Sequence, residues 1–181
     1  MKVSRTALPE VLVIEPHVFA DERGYFFESH NQREFESQSG IHASFVQDNQ
    51  SQSKKNVLRG LHYQNPQPQG KLLRVLTGEV FDVVVDIRRS SPNFGKWDSI
   101  GLSAKNRLTV WVPPGFAHGF LVLSDDAEIL YKTTDYYAPR HEHCILWNDP
   151  QLAIAWPLAG PPDLSPKDQR GKLFKDAQVF A

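Results

Sequence analysis

Cysteine is nearly absent. Cys144 is the only one in 181 residues, so no disulfide can form within the chain. No stretch approaches the ~20 apolar residues that a membrane-spanning helix needs. The opening Met-Lys-Val-Ser-Arg-Thr carries no apolar signal-peptide core. Excess charge is missing too: 20 Lys and Arg stand against 21 Asp and Glu, a net charge of -1. That balance creates no field to draw nucleic acid or an anionic membrane. A Gly-x-Ser-x-Gly elbow, a P-loop and a Gly-x-Gly-x-x-Gly turn are all lacking. Serine hydrolysis, nucleotide hydrolysis and dinucleotide oxidoreduction therefore lose support. The expectation is a cytoplasmic protein with neither a membrane nor a nucleic-acid partner. With no repeat, low-complexity tract or linker, residues 1–181 read as one domain.

Turn formers and aromatics are plentiful. Thirteen Pro and 11 Gly recur at short intervals among 11 Phe, 5 Tyr and 4 Trp, which leaves little room for long helices. Short β-type runs alternate with turn signals. Val11–Phe19 is broken by Pro16 and reads as an edge strand or two short strands. Asn31–Gln38 reads as a short helix ended by Gly40. Further strands are expected at Phe45–Ser51, Val57–Tyr63, Trp97–Leu102, Leu108–Val112, Gly119–Leu123 and Glu128–Thr134. Weaker ones are expected at Ile145–Trp147 and Leu152–Trp156. Ser165 and Pro166 open a short helix, as cap and first residue. Lys71–Ile87 reads as a hairpin turning at Thr77-Gly-Glu. In its second arm Phe81, Val83, Val85 and Ile87 share one face, and Val80, Asp82, Val84 and Asp86 the other. A face mixing Val with Asp suits a ligand-lined barrel interior or a partly wet sheet. The whole pattern points to an all-β sandwich or barrel.

The chemistry candidates are mainly acid–base groups. Arg59-Gly-Leu-His62 puts a guanidinium and an imidazole on one strand. Strict alternation would split them between faces, and a bulge at Gly60 would turn both inward. Lys71 opens the next strand, and Tyr131 offers a phenolic acid. Arg23, Arg59 and Lys71 suit a diphosphate, and Tyr136 and Tyr137 suit a stacked base. Pro113-Pro-Gly-Phe-Ala-His118 matches a turn whose His points into a small β-barrel. His141-Glu-His143-Cys144 is a weak metal signal, since zinc sites usually draw on two separated ligand pairs; a polar loop is the plainer reading.

Taken in order, these segments resemble the dTDP-4-dehydrorhamnose 3,5-epimerases, the RmlC-like cupins. The resemblance rests on Arg-Gly-Leu-His-Tyr-Gln (59–64), Gln-Gly-Lys-Leu (69–72), Val-Asp-Ile-Arg (85–88), Phe-Gly-Lys-Trp (94–97), Pro-Pro-Gly-Phe-Ala-His-Gly-Phe (113–120) and Trp-Asn-Asp-Pro (147–150). Asp-Glu-Arg-Gly-Tyr-Phe (21–26), Gln-Asp-Asn (47–49) and Leu-Ser-Pro-Lys-Asp (164–168) extend it over nearly the whole chain. It implies a cupin-type double-stranded β-helix, or jelly roll, with a few short peripheral helices, assembled as a homodimer. It implies epimerisation at C3 and C5 of dTDP-4-dehydro-6-deoxy-D-glucose, with no metal or redox cofactor. By the same resemblance His62 is the base, Asp168 orients it, Lys71 stabilises the enolate oxygen and Tyr131 is the acid. Arg23, Glu28, Gln47, Asp48, Asn49, Arg59, His118, Glu142 and Lys167 match positions that hold the nucleotide sugar, with Arg23 and Glu28 reaching over from the partner subunit. Tyr137 matches an aromatic stacked on thymine. Metal-binding cupins carry His-x-His where this chain ends in Gln64, and a later ligand position is Val122. The rival readings are a sugar-nucleotide mono-epimerase, a non-catalytic ligand-binding cupin and a metal-dependent cupin oxygenase.

Overall fold

Side-chain alternation sorts thirteen short runs of the chain into antiparallel strands, and the central ones bury one or both faces. The computed structural model describes all residues, 1–181. Its strands are β1 (Lys2–Arg5), β2 (Leu12–Glu15), β3 (Phe19–Asp21), β4 (Gly24–Phe26), β5 (Gln47–Lys54), β6 (Leu58–Gln64), β7 (Lys71–Thr77), β8 (Glu79–Asp86), β9 (Trp97–Ser103), β10 (Thr109–Val112), β11 (Phe116–Val122), β12 (Asp126–Thr133) and β13 (Glu142–Cys144). Two short helices are added, α1 (Gln32–Ser39) and α2 (Pro166–Gln169). One sheet has six strands in the order β1-β2-β10-β7-β12-β5, and the other five, in the order β13-β6-β11-β8-β9. β3 and β4 form a separate ribbon.

The core lies between the sheets. Leu73, Val75, Val110 and Ile129 of the six-stranded sheet meet Val80, Val84, Leu102, Phe120 and Val122 of the other. The outer face of the five-stranded sheet is also covered. Val83, Val85 and Ile87 pack there against Ile145, Leu152 and Phe174 from the last third of the chain. α1 covers the six-stranded sheet through Phe35, against Leu12, Ile14, Leu72 and Trp111. The two faces expected along β8 are both real, the Val80–Asp82–Val84 row facing the interior.

Three expectations need correction. Lys71–Ile87 is not a hairpin: β7 pairs with β10 and β12, whereas β8 pairs with β9 and β11 in the other sheet. Both edges of each strand are thus taken, and the turn at Gly78 carries the chain from one sheet to the other. Gly78 has φ +76°, and a side chain there would run into the Asp126 carbonyl. Ile145–Trp147 and Leu152–Trp156 do not form strands. Ile145 makes a single bridge to Lys172, and Leu152 and Ile154 are buried beneath the five-stranded sheet. Their apolar spacing reported burial rather than pairing. His141–Cys144 also differs, because its last three residues make edge strand β13 beside β6 instead of a loop.

Elsewhere the local signals hold. The chain breaks at Pro16 into β2 and β3. The Asn31 side chain accepts from the Glu34 N–H at 3.2 Å, and Gly40 closes α1 with φ +72°. The Ser165 hydroxyl accepts from the Asp168 N–H at 3.2 Å, with Pro166 in the first turn of α2.

Candidate active site

The cavity between the sheets is about 330 Å³. β6 supplies its key wall because it is irregular. His118 of β11 lies opposite His62, and Phe120 lies opposite Arg59, so two steps on β11 span three on β6. The bulge is at Gly60, where φ is +118°. A Cβ at Gly60 would stand 2.6 Å from the Gly119 Cα and 2.8 Å from the His118 carbonyl oxygen. Glycine thus allows the close approach, and the extra residue turns both Arg59 and His62 into the cavity.

His62 Nε2 is 2.5 Å from Asp168 Oδ1, across 106 residues of sequence. Asp168 is presented by the first turn of α2, and its second oxygen accepts from the Ser165 hydroxyl at 2.7 Å. Its side chain is 2% exposed. Burial pushes the His62 imidazole below its ordinary value, outweighing the pull of Asp168. Burial opposes ionisation of Asp168 too, but hydrogen bonds from His62 and Ser165 and the charge on His62 hold its carboxyl below the usual range. A neutral imidazole that donates Nε2–H to a carboxylate leaves Nδ1 as a base.

Lys71 and Tyr131 come from the opposite sheet. Lys71, at the head of β7, donates to the His62 carbonyl at 3.4 Å. Burial lowers its ammonium to about 8, against the opposing charges of Asp82 and Glu142. Tyr131 on β12 sits beside Asn49 of β5 in register. Burial raises its phenol, so the hydroxyl keeps its proton at neutral pH. The groups that the family resemblance implies as base, cation and acid thus line one cavity, with the implied orienter, Asp168, bonded behind His62.

Most expected binding residues line it as well. Arg59 and His118 stand beside the dyad, while Gln47, Asn49, Tyr137, Glu142 and Lys167 complete the wall. Tyr137 donates its hydroxyl to Glu142 at 2.9 Å, and Lys167 donates to the same carboxylate at 2.7 Å. The Tyr137 N–H donates to the Gln47 side chain at 3.0 Å. Three expected residues lie elsewhere. Asp48 is turned to the other face of β5 by strand alternation and pairs with Lys132 at 3.0 Å. Arg23 pairs with Asp21 at 2.6 Å at the tip of the β3–β4 ribbon. Glu28 accepts from Asn31 at 3.1 Å and borders a second cavity of about 200 Å³.

The metal question turns on donor chemistry. Donor atoms of His62, Cys144 and Asp168 lie within 4.8 Å of one another. The His62–Asp168 hydrogen bond fills the space a cation would need, and burial pushes the Cys144 thiol up to about 12. A protonated thiol is a poor ligand, so the trio fits an acid–base dyad better than a cation. His141 and His143 take no part: they bond Gln67 at 2.8 Å and the Asn65 carbonyl at 2.9 Å.

Sequence reasoning passed over Ser51 and Asp82. Ser51 lines the cavity with a buried hydroxyl that has no partner. Its only signal was the polar alternation Gln47, Asn49, Ser51, Ser53. Asp82 was legible as a charge on a mixed face, without a role.

The family model for dTDP-4-dehydrorhamnose 3,5-epimerase matches residues 5–176. The chain belongs to this epimerase family. It is 61% identical over 180 residues to the dTDP-4-dehydrorhamnose 3,5-epimerase of Pseudomonas aeruginosa, covering 99% of each chain. The crystal structure of RmlC from Legionella pneumophila, in complex with dTDP-4-keto-L-rhamnose, superposes with a TM-score of 0.95 at 52% identity. That likeness covers 98% of this chain and 94% of that one. ChmJ, a 3'-monoepimerase from Streptomyces bikiniensis in complex with dTDP-quinovose, superposes with a TM-score of 0.89 at 33% identity, covering 97% and 88%. The epimerase is therefore an isomerase with the cupin-type fold of the RmlC proteins. No helix in it is long and apolar enough to cross a membrane.

Proposed function

We propose that this epimerase inverts C3 and C5 of dTDP-4-dehydro-6-deoxy-D-glucose, giving dTDP-4-dehydro-L-rhamnose, by proton transfer through an enolate. Its named relatives support a reaction in rhamnose biosynthesis. Both carbons flank the C4 ketone, so removing either proton yields an enolate. His62 Nδ1 takes the proton, and Asp168 steadies the imidazolium that forms. Lys71 stabilises the developing oxyanion, where a fixed cation in a dry site is most effective. Tyr131 returns a proton to the other ring face, and solvent restores both groups.

The observation that carries this reading is the division between sheets. His62 stands on the five-stranded sheet, backed by Asp168 from α2, and Tyr131 and Lys71 stand on the six-stranded one. Inversion requires groups on opposite faces of the ring. Arg59, His118 and Lys167 line the same cavity and suit the diphosphate, and Tyr137 suits the base. The working unit is a homodimer in the cytoplasm, with Arg23 and Glu28 of each chain completing its partner's site. The solvent-facing position of Arg23, 86% exposed on its ribbon, supports that arrangement.

His62→Ala tests the reading. Turnover is expected to fall by ~10²–10⁴, the range of a general base, while dTDP affinity measured by calorimetry stays within a few-fold. Full activity in this variant would remove the proposed base.

A further inference from the structure

Asp82 stands out among the groups that the reaction does not use. It projects into the sandwich interior between Val80 and Val84, both in the main core cluster. Its register neighbours on the adjoining strands are Phe120 and Ile100. It is fully buried. One oxygen, Oδ2, accepts from His118 Nε2 at 2.8 Å. The other, Oδ1, is buried with no partner. A carboxylate among apolar side chains with half its acceptors empty is costly, and an apolar residue of similar size would pack there more cheaply.

The residues around it show what that cost supports. His118 lines the cavity, with a side chain only 11% exposed. A bond from Nε2–H to the Asp82 carboxylate holds the ring in one orientation at the cavity wall. Lys71 points into the same interior from the facing sheet, in the row of Leu73 and Val75. The titratable groups around the Lys71 ammonium are Asp82 from β8, Glu142 from β13, Lys167 from α2 and His62 from β6. Lys167 and His62 cannot stabilise its charge. Glu142 already shares its carboxylate between Lys167 and Tyr137. Asp82 has no lysine or arginine partner, its one hydrogen bond coming from His118.

We propose that Asp82 is a positioning residue for the epimerisation: it fixes His118 at the cavity wall and supplies the buried negative charge that keeps Lys71 an ammonium ion. The part concerning Lys71 in catalysis rests on the enolate reading above. The proposal accounts for a buried carboxylate that neither the fold nor the proton-transfer scheme otherwise needs. It agrees in direction with the opposing effect of Asp82 on the lowered Lys71 ionisation.

Two variants separate charge from hydrogen bond. Asp82→Asn keeps an acceptor for His118 and removes the charge. Asp82→Glu keeps the charge and displaces the acceptor. Lys71 ionisation is read directly by NMR of protein labelled with 13Cε-lysine, its signal assigned by its loss in Lys71→Arg. The pH profile of kcat is measured alongside. In Asp82→Asn the Lys71 midpoint should fall below its wild-type position, and the alkaline limb of kcat should move down with it by about one pH unit, roughly tenfold in rate on that limb. In Asp82→Glu the Lys71 midpoint should stay, while kcat drops roughly tenfold or more through the displaced His118. An unmoved Lys71 midpoint in Asp82→Asn overturns the charge role, and wild-type kcat in Asp82→Glu overturns the positioning role. A Lys71 midpoint that falls while the kcat limb stays put upholds the charge role and instead contradicts Lys71 as the enolate's cation. Either variant alone decides the part it tests.

Discussion

At the residue scale, the chemistry depends on His62 staying neutral until it meets a carbon acid. Burial presses its ionisation down, and Asp168 only partly offsets this. The base is active in its neutral form, so activity should be present above the His62 ionisation and lost as pH falls through it. The acidic limb of kcat/KM, which reports the free enzyme, should therefore lie below the ordinary imidazole value of ~6.5. Asp168→Asn should remove the counter-charge, push that limb lower still and cut kcat by ~10²–10⁴, as the imidazolium loses its support. A limb that rises in this variant would contradict the assignment. Tyr131 makes a different prediction. With Phe in its place, the enolate still forms but lacks its proton donor. Exchange of the C5 proton with solvent should outlast net inversion at C5 by at least ~10-fold, measured by NMR on one sample. Equal loss of both would count against the acid role.

At the scale of elements, the site hangs on the bulge in β6. Gly60 is a hinge between two registers, and its backbone lies against Gly119 of β11. Gly60→Ala should cost roughly 3 kcal/mol of stability, because the obstruction is backbone and the left-handed φ is unsuited to alanine. It should also lower kcat beyond what the unfolded fraction explains, since Arg59 and His62 would lose their shared direction. Thermal melts and kcat at a temperature well below the transition separate the two effects. A fully active variant would show that the bulge does not aim the dyad. This bulge was legible in the sequence, as a glycine between two polar residues that strict alternation would have parted. So were the helix caps at Asn31 and Ser165, whose signals are local. The crossover at Gly78 was not. A glycine between two apolar runs reads equally as a hairpin or as a corner between sheets, and only the occupied edges of β7 and β8 decide. The outward turn of Asp48 follows from period-two alternation once Gln47 and Asn49 are placed in the cavity, and only the motif Gln-Asn-flanked Asp suggested otherwise. The dyad itself joins residues far apart in sequence, so its pairing was legible by family resemblance alone.

At the scale of the whole molecule, one chain carries an incomplete account of its surface. Phe19, Tyr25 and Phe26 on the β3–β4 ribbon are 58%, 59% and 66% exposed, beside an Arg23 that lines neither cavity described above. Exposed aromatics gathered on one small ribbon suit burial against a second copy. If Arg23 serves the partner's site, Arg23→Ala and His62→Ala homodimers should both be impaired. A mixed dimer, made by co-expression with two affinity tags, then holds one site with both lesions and one with neither. It should regain roughly half the wild-type activity per dimer, one working site of two. No gain in the mixed dimer would place Arg23 outside the partner's site.

The fold by itself does not choose among these chemistries, since a 3'-monoepimerase shares it at a TM-score of 0.89. The central claim is that two carbons are deprotonated and inverted at one site. It is tested most directly by incubating the protein with dTDP-4-dehydro-6-deoxy-D-glucose in deuterated water and following C3–H and C5–H by NMR, with a reductase trapping the product. The account predicts deuterium at both carbons and a product of L-rhamno configuration. Deuterium at one carbon only, or none in protein that still binds the nucleotide, would contradict it.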